Sequence, residues 1–164
     1  MNKRKSMVII FFIIIIAGVS GLLAYDYLVP EYKEFSDDRI QVEIPYDFNF
    51  NFDEKDNSYM NSSAYSTDDN QEGIIAISLD PNFQYAQEVY KKSSAEEKNR
   101  LSKYAMNDSK HNYSGTIYKV DPSENFYVNG YIIIVDFPER YGFVVITAHD
   151  IKDAIHMAET FNFK

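Results

Sequence analysis

The stretch 68–73 resembles the start of a calcium-binding loop. Carboxylate and amide oxygens recur at alternate positions here, and Gly73 and an apolar residue follow them. Ca²⁺ prefers such oxygens, but the twelfth position of a calcium loop needs a carboxylate, and Leu79 stands there. A polar turn between two strands is the simpler interpretation. The acidic loops 53–57 and 68–72 nevertheless keep the binding of a cation or a small ligand open as an alternative function.

Three side chains near the C-terminus have the spacing of metal ligands on a helix. His149, Asp153 and His156 recur at intervals of four and three residues, so one helical face would carry all three and could hold zinc. Asp150, however, has the position of a helix cap, and His149 would then precede the helix. We therefore predict no metal ligands and no cofactor.

No catalytic arrangement stands out. The chain has no cysteine, no Gly-x-Ser-x-Gly elbow and no glycine-rich phosphate loop, and His111 lies in a polar stretch. We predict that the protein is not an enzyme and assign no catalytic, cofactor-binding or metal-binding residues. A hydrolase with a carboxylate and histidine site near His149 or His156 is the second alternative.

An apolar segment near the N-terminus organises the chain. Residues 7–24 carry no charge, are close to the length that a helix needs to cross a bilayer, and follow the basic residues Lys3, Arg4 and Lys5. These features predict a signal-anchor helix at 7–25 in the cell membrane, with the N-terminus in the cytoplasm. A cleaved secretory signal is the alternative. The predicted division is a cytoplasmic stub at 1–6, the transmembrane helix at 7–25, a linker at 26–38 and one extracytoplasmic domain at 39–164.

Composition limits the partners. All 25 acidic residues follow the apolar segment, whereas three of the 16 basic residues precede it, so the remainder carries a formal charge of −12. This charge excludes nucleic acid as a partner. The expected partners are the lipid bilayer through 7–25 and another membrane or surface protein. The 14 tyrosines suit a protein interface, although they also suit the edge of a core.

Apolar patterns predict a sheet with helices. The predicted strands are 40–44, 48–52, 59–66, 74–79, 116–120, 126–137 and 143–147, with the first two forming a hairpin. Helices are predicted after Asp80, from Ser94 to about Met106 because Ser94 opens a capping box, and after Asp150.

The fold class follows from three continuous apolar runs. The runs 74–77, 132–135 and 143–146 have no polar face, so each should be covered on both faces, and the short turn at 138–142 requires antiparallel pairing. We expect an α+β fold, in which an antiparallel sheet is packed with helices as an α/β/α-type sandwich. In a variant of it, helices cover one face and the N-terminal hairpin covers the other.

The stretches MNKRKSMVIIFFIIII, IQVEIPYDFNF and TAHDIKDAIHMAETF carry a resemblance. Together they resemble uncharacterised short surface proteins of methanogenic archaea that are anchored by a single span. The order of elements over about 40–164 is similar to the PsbP-like sandwich. The resemblance implies a fold and assigns no residue a role. The predicted function is a membrane-anchored extracytoplasmic binding or accessory domain.

Overall fold

The computed structural model describes residues 31–56, 58–69, 71–106, 115–120 and 130–164. Within these ranges nine strands form two antiparallel sheets, and two α-helices accompany them. The strands are β1 (Tyr32–Ser36), β2 (Ile40–Pro45), β3 (Asn51–Glu54), β4 (Met60–Ser66), β5 (Gly73–Leu79), β6 (Gly115–Val120), β7 (Gly130–Phe137), β8 (Gly142–Ala148) and β9 (Asn162–Phe163). The helices are α1 (Ala86–Leu101) and α2 (Ile151–Thr160), with short 3₁₀ turns at Ser102–Tyr104 and Pro138–Arg140.

The larger sheet has six strands in the order β3-β4-β5-β8-β7-β6. In β7, which lies between β8 and the edge strand β6, all four residues from Ile132 to Val135 are buried. Side chains alternate between the two faces of a strand, so a strand that is buried throughout must be covered on both sides. The prediction of coverage on both faces is confirmed for the run 132–135, but it is wrong for the run 74–77, because Ile75 of β5 is 44% exposed. In the run 143–146, Val145 is half-buried.

Different elements cover the two faces of the six-stranded sheet. On one face, strand β2 contributes Ile40, Val42 and Ile44, and α2 contributes Ala154 and Met157, to a core with the sheet. The small sheet, in the order β1-β2-β9, and α2 therefore share this layer. On the other face, α1 packs through its buried residues into a second core.

Asp150 caps α2 as the sequence predicts. Its carboxylate accepts a hydrogen bond from the backbone N–H of Lys152 at 2.8 Å, and its backbone is extended, as expected before a first helical turn. Ala154, Met157 and Ala158 are the buried residues of the helix and face the core.

Helix α1 replaces the two helices predicted around Ser94. Ser94 lies in the middle of this single helix rather than at a cap, and it is buried. Its hydroxyl donates to the carboxylate of Asp136 on β7 at 2.6 Å, and Lys98 also pairs with Asp136. The predicted helix start at Ser94 is therefore wrong, and Ser94 instead bonds a residue on β7 that is 42 positions away in the chain.

The predicted α/β/α-type sandwich is wrong. The described chain is mostly β, and its second layer is a three-stranded sheet with α2 beside it, instead of a layer of helices. Two pairings explain the error. Strand β1 lies inside the predicted linker at 26–38 and pairs with β2, and β3 joins β4 in the large sheet instead of forming a hairpin with β2.

The predicted transmembrane helix at 7–25 lies outside the described residues. Among those described, no helix is long and apolar enough to cross a membrane. Helix α1 has 16 residues and is largely polar, and α2 has only ten. The structure thus does not support the predicted single-pass anchor or the cell-membrane localisation that depended on it, and both predictions are corrected on this finding.

Candidate functional site

The predicted calcium-like stretch forms the turn between β4 and β5. Its carboxylates accept hydrogen bonds from nearby groups: Asp68 from Asn51 at 3.0 Å, and Asp69 from Thr67 at 2.7 Å. Glu72 accepts from the backbone N–H of His149 at 2.7 Å. These oxygens stabilise the turn, and Leu79 is buried on β5. Asn70 lies outside the described residues.

The acidic loop at 53–57 binds a cation of the chain itself. The guanidinium of Arg39 donates to Asp56 at 2.6 and 2.9 Å and also pairs with Glu54. Hydrogen bonding to Asp56 raises the pKa of Arg39 against the opposing effect of burial. Asp53 pairs only with the exposed Lys55, at 3.6 Å. The loop therefore neutralises Arg39, and Asn57 lies outside the described residues.

The three residues that were considered as metal ligands do not come together. His149 precedes α2, whereas Asp153 and His156 both contact Tyr32 of β1: the Tyr32 hydroxyl donates to Asp153 at 2.9 Å, and its ring stacks on His156 at 3.7 Å. His156 also contacts Glu43 at 2.8 Å. Burial is the main cause that raises the pKa of Asp153. No group of three or more His, Asp or Glu side chains in the described ranges is placed to hold a metal ion, and His111 falls outside those ranges.

A hollow of about 160 Å³ lies where the small sheet meets β4 and β5. We call it the basic hollow, because three cations line it: Arg39 before β2, Arg140 in the turn between β7 and β8, and Lys164 after β9. Asp38 is the acidic residue in its lining. The whole chain has a formal charge of −9, so this concentration of positive charge runs against its composition.

Small polar residues form the floor of the basic hollow. Asn61 and Ser63 alternate on one face of β4, and Ala76 and Ser78 lie opposite them on β5. Ser78 in turn faces Gly142 of β8, which has no side chain. The same face carries large apolar residues further along both strands, so the hollow exists because this end of the face has small side chains.

The three cations differ in their partners. Arg39 is neutralised by Glu54 and Asp56 and donates to the buried hydroxyl of Ser63 at 3.1 Å. Arg140 and Lys164 make no ion pair with any carboxylate of the described residues. Arg140 donates to the main-chain oxygen of Lys164 at 3.3 Å, and Lys164 donates to the main-chain oxygen of Asp37. Neither side chain therefore forms a direct ion pair with Asp or Glu, although Lys164 lies close enough to the Asp37 carboxylate for its charge to help lower the pKa of Asp37.

Asp37 fixes the turn that brings Arg39 and Lys164 together. Its carboxylate accepts from the backbone N–H groups of Arg39 at 2.8 Å and Ile40 at 2.9 Å, and from the hydroxyl of Tyr65 at 2.5 Å. Tyr65 is a buried residue of β4, so this contact joins the two sheets. The N–H of Lys164 donates to the carbonyl of Arg39 at 2.9 Å, which places the lysine beside the turn.

A second hollow of about 320 Å³ adjoins the first and shares Asn61, Ser78, Arg140 and Lys164 with it. We call it the outer hollow. Its own lining includes Tyr59, whose ring stacks on Phe83 at 4.8 Å and is 39% exposed. Together the two hollows combine three cations, of which Arg39 is already paired, with amide and hydroxyl groups, two carboxylates (Asp38 and Asp80) and one exposed aromatic residue. This arrangement suits a small anionic ligand.

Sequence patterns could not identify these hollows, because Arg39, Arg140 and Lys164 are far apart in the chain and belong to no motif. One signal was present. The segment 59–66 is a weak strand candidate because Asn61 and Ser63 stand where a core-facing strand usually carries apolar residues. Those two positions form the floor of the basic hollow.

Comparison of the chain with family models, with curated proteins and with solved structures finds no significant match.

Proposed function

We propose that this protein is a binding domain for a small anionic ligand, which it holds in the basic hollow. One observation carries the proposal: Arg140 and Lys164 line a hollow floored by hydroxyl and amide groups, and neither forms a direct ion pair with an Asp or Glu side chain of the described residues. Charge-assisted hydrogen bonds to a carboxylate or phosphate would satisfy both side chains. The sequence analysis left open a cation or small ligand at the acidic loops 53–57 and 68–72; the proposal keeps a small ligand but places it at other residues and gives it a negative charge.

The size of the basic hollow fits one oxyanion group. Its volume of about 160 Å³ is well above the ~10–15 Å³ that a cavity needs to hold one water molecule, so it has room for a group of a few heavy atoms. Two charge-assisted hydrogen bonds contribute about 1.5–3 kcal/mol each. We therefore expect a dissociation constant of about 1 mM for an isolated anion such as phosphate.

Calorimetric titration of inorganic phosphate and of acetate into the full chain tests the proposal. Arg140→Gln and Lys164→Gln should each weaken binding about tenfold or more, because each removes a charged donor from the hollow. Lys91→Gln is the matched control, since it removes one charge from an exposed site on α1. Phosphate and acetate that bind no better than chloride, or equal losses in all three variants, would refute the proposal.

The other predictions about function remain predictions. An accessory role beside another protein, the absence of nucleic acid as a partner and the absence of catalysis rest on the sequence. Neither hollow contains His149 or His156 in its lining, so the proposed binding site is separate from the residues considered for a hydrolase.

A further inference from the structure

We propose that the ligand is a single sugar ring that carries one anionic group, such as a hexuronic acid or a hexose phosphate. The anionic group lies at Arg140 and Lys164, and the ring lies in the outer hollow against Tyr59. This inference rests on the proposed function, and it assigns the part of the ligand that the cations do not hold.

The aromatic residue Tyr59 favours a sugar ring in the outer hollow. Tyr59 lines the outer hollow, and its ring stacks on Phe83 with the two planes inclined by only 24°. A ring held by stacking offers a rigid surface, and the negative face of an aromatic ring attracts the polarised C–H groups on one side of a sugar. Arg140 and Lys164 line the same hollow, so one ligand can reach the aromatic ring and both cations.

The polar residues that line the outer hollow also favour a sugar ring. Apart from the two cations, the side chains that line the outer hollow with Tyr59 are mostly short and hydrogen-bonding. They are Ser58, Asn61, Ser78 and Asp80, with Leu79 and Pro81 as the apolar members. Hydroxyl, amide and carboxylate groups together donate and accept hydrogen bonds, which matches the hydroxyl groups around a sugar ring.

The dimensions also favour a single ring. The outer hollow of about 320 Å³ lies near the ~300 Å³ lower limit for pockets that bind small molecules. A nucleotide would place a flat apolar base in this hollow, and a base is best held between two apolar surfaces. The outer hollow offers one aromatic surface and otherwise mainly polar walls, so we favour the sugar over the nucleotide.

Calorimetric titration of the full chain distinguishes a charged sugar from an uncharged sugar, a bare anion and a nucleotide. The probes are glucuronate, glucose 6-phosphate, uncharged glucose, acetate, inorganic phosphate and adenosine monophosphate. We expect glucuronate or glucose 6-phosphate to bind at least tenfold more tightly than glucose and than the matching anion without a ring. A preference between these two distinguishes a carboxylate ligand from a phosphate ligand.

Variants locate the ring. Tyr59→Leu should weaken binding of the charged sugar about tenfold and leave the binding of phosphate unchanged, whereas Tyr59→Phe keeps the ring and should bind within about twofold of the original. Tyr85→Leu is the matched control, because Tyr85 contacts Phe83 and is 53% exposed but does not line the hollow. Thermal unfolding of each variant verifies that it is folded.

Three results would overturn the inference while the proposed function stands. They are charged sugars that bind no more tightly than the bare anions, an equal effect of Tyr59→Leu on sugar and phosphate, and adenosine monophosphate as the tightest ligand. Failure of every anion to bind would remove the proposed function and this inference together. The comparison of ligands on the unmodified chain decides the matter even if Tyr59→Leu does not fold.

Discussion

Replacing Asp37 with alanine should destabilise the protein by about 3 kcal/mol, because one carboxylate holds both the turn before β2 and the contact between the two sheets. The variant loses three hydrogen bonds, those from Arg39, Ile40 and Tyr65. Hydrogen bonds to a charged group contribute about 1.5–3 kcal/mol each. Water can replace the acceptor at the turn, but Tyr65 is only 1% exposed, so its hydroxyl loses its charged partner and keeps only the weaker, neutral hydrogen bond with Ser63.

Urea unfolding of the full chain at neutral pH measures this change. Tyr65→Phe should cost about 1–1.5 kcal/mol, and the double variant should cost clearly less than the sum of the two single changes, because both remove the same hydrogen bond. Asp53→Ala is the control, since the exposed pair of Asp53 and Lys55 should contribute less than about 1 kcal/mol. A loss for Asp37→Ala as small as that of the control, or strictly additive effects, would refute the reasoning.

The pH dependence of the free energy of unfolding is a second test of the stabilisation by Asp37. Burial opposes the ionisation of Asp37, but hydrogen bonds from Tyr65 and from the N–H groups of Ile40 and Arg39 together lower the pKa of Asp37. A lowered pKa stabilises the fold above the usual pKa of about 4, and this stabilisation is lost as the pH falls through the lowered value. The stability difference between the original and Asp37→Asn should therefore be constant from about pH 5 to 8 and shrink below about pH 4.

Three further predictions concern the sheet. Gly142→Ala should cost about 1–3 kcal/mol, because a Cβ there would lie 2.6 Å from a backbone carbonyl oxygen of β5. Asp136→Ala should cost about 2–4 kcal/mol, because it leaves the partly buried Lys98 and the buried Ser94 hydroxyl without their acceptor. Ile133→Ala should cost about 2–5 kcal/mol, since Ile133 is fully buried at the centre of β7. Urea unfolding measures all three.

Glu97→Ala is the control for this group, because its pair with Arg100 lies on the exposed side of α1 and should contribute less than about 1 kcal/mol. If Asp136→Ala cost no more than Glu97→Ala, the contact between α1 and β7 would not stabilise the fold as described. If Gly142→Ala were neutral, the close approach of β8 to β5 would not constrain that position.

Local patterns predicted the parts of the fold that local physics determines. The uninterrupted apolar run from Ile132 to Val135 indicated a strand covered on both faces, and Asp150 indicated the start of α2. In both cases the residues that show the pattern lie in, or next to, the element that they predict. These patterns sufficed for strand β7 and the last helix, but they did not determine which layers cover the sheet.

Long-range contacts explain the failures. Strand β1 is a strand because it pairs with β2 in the small sheet, and its own sequence shows no clear alternation. Ser94 resembled a cap, but its partner Asp136 becomes visible only when α1 is packed on β7. The basic hollow depends on the pairing of β4 with β5 and on a turn closed by Asp37, so no stretch of sequence contains it.

Thermal unfolding with increasing inorganic phosphate tests the central claim most directly. A ligand that binds only the folded state stabilises it by about 2.7 kcal/mol when its concentration is 100 times the dissociation constant. We predict that phosphate raises the unfolding temperature of the full chain. This rise should disappear in the double variant Arg140→Gln/Lys164→Gln and should persist in Lys91→Gln. An equal rise in the double variant would contradict the account, because the anion would then bind elsewhere.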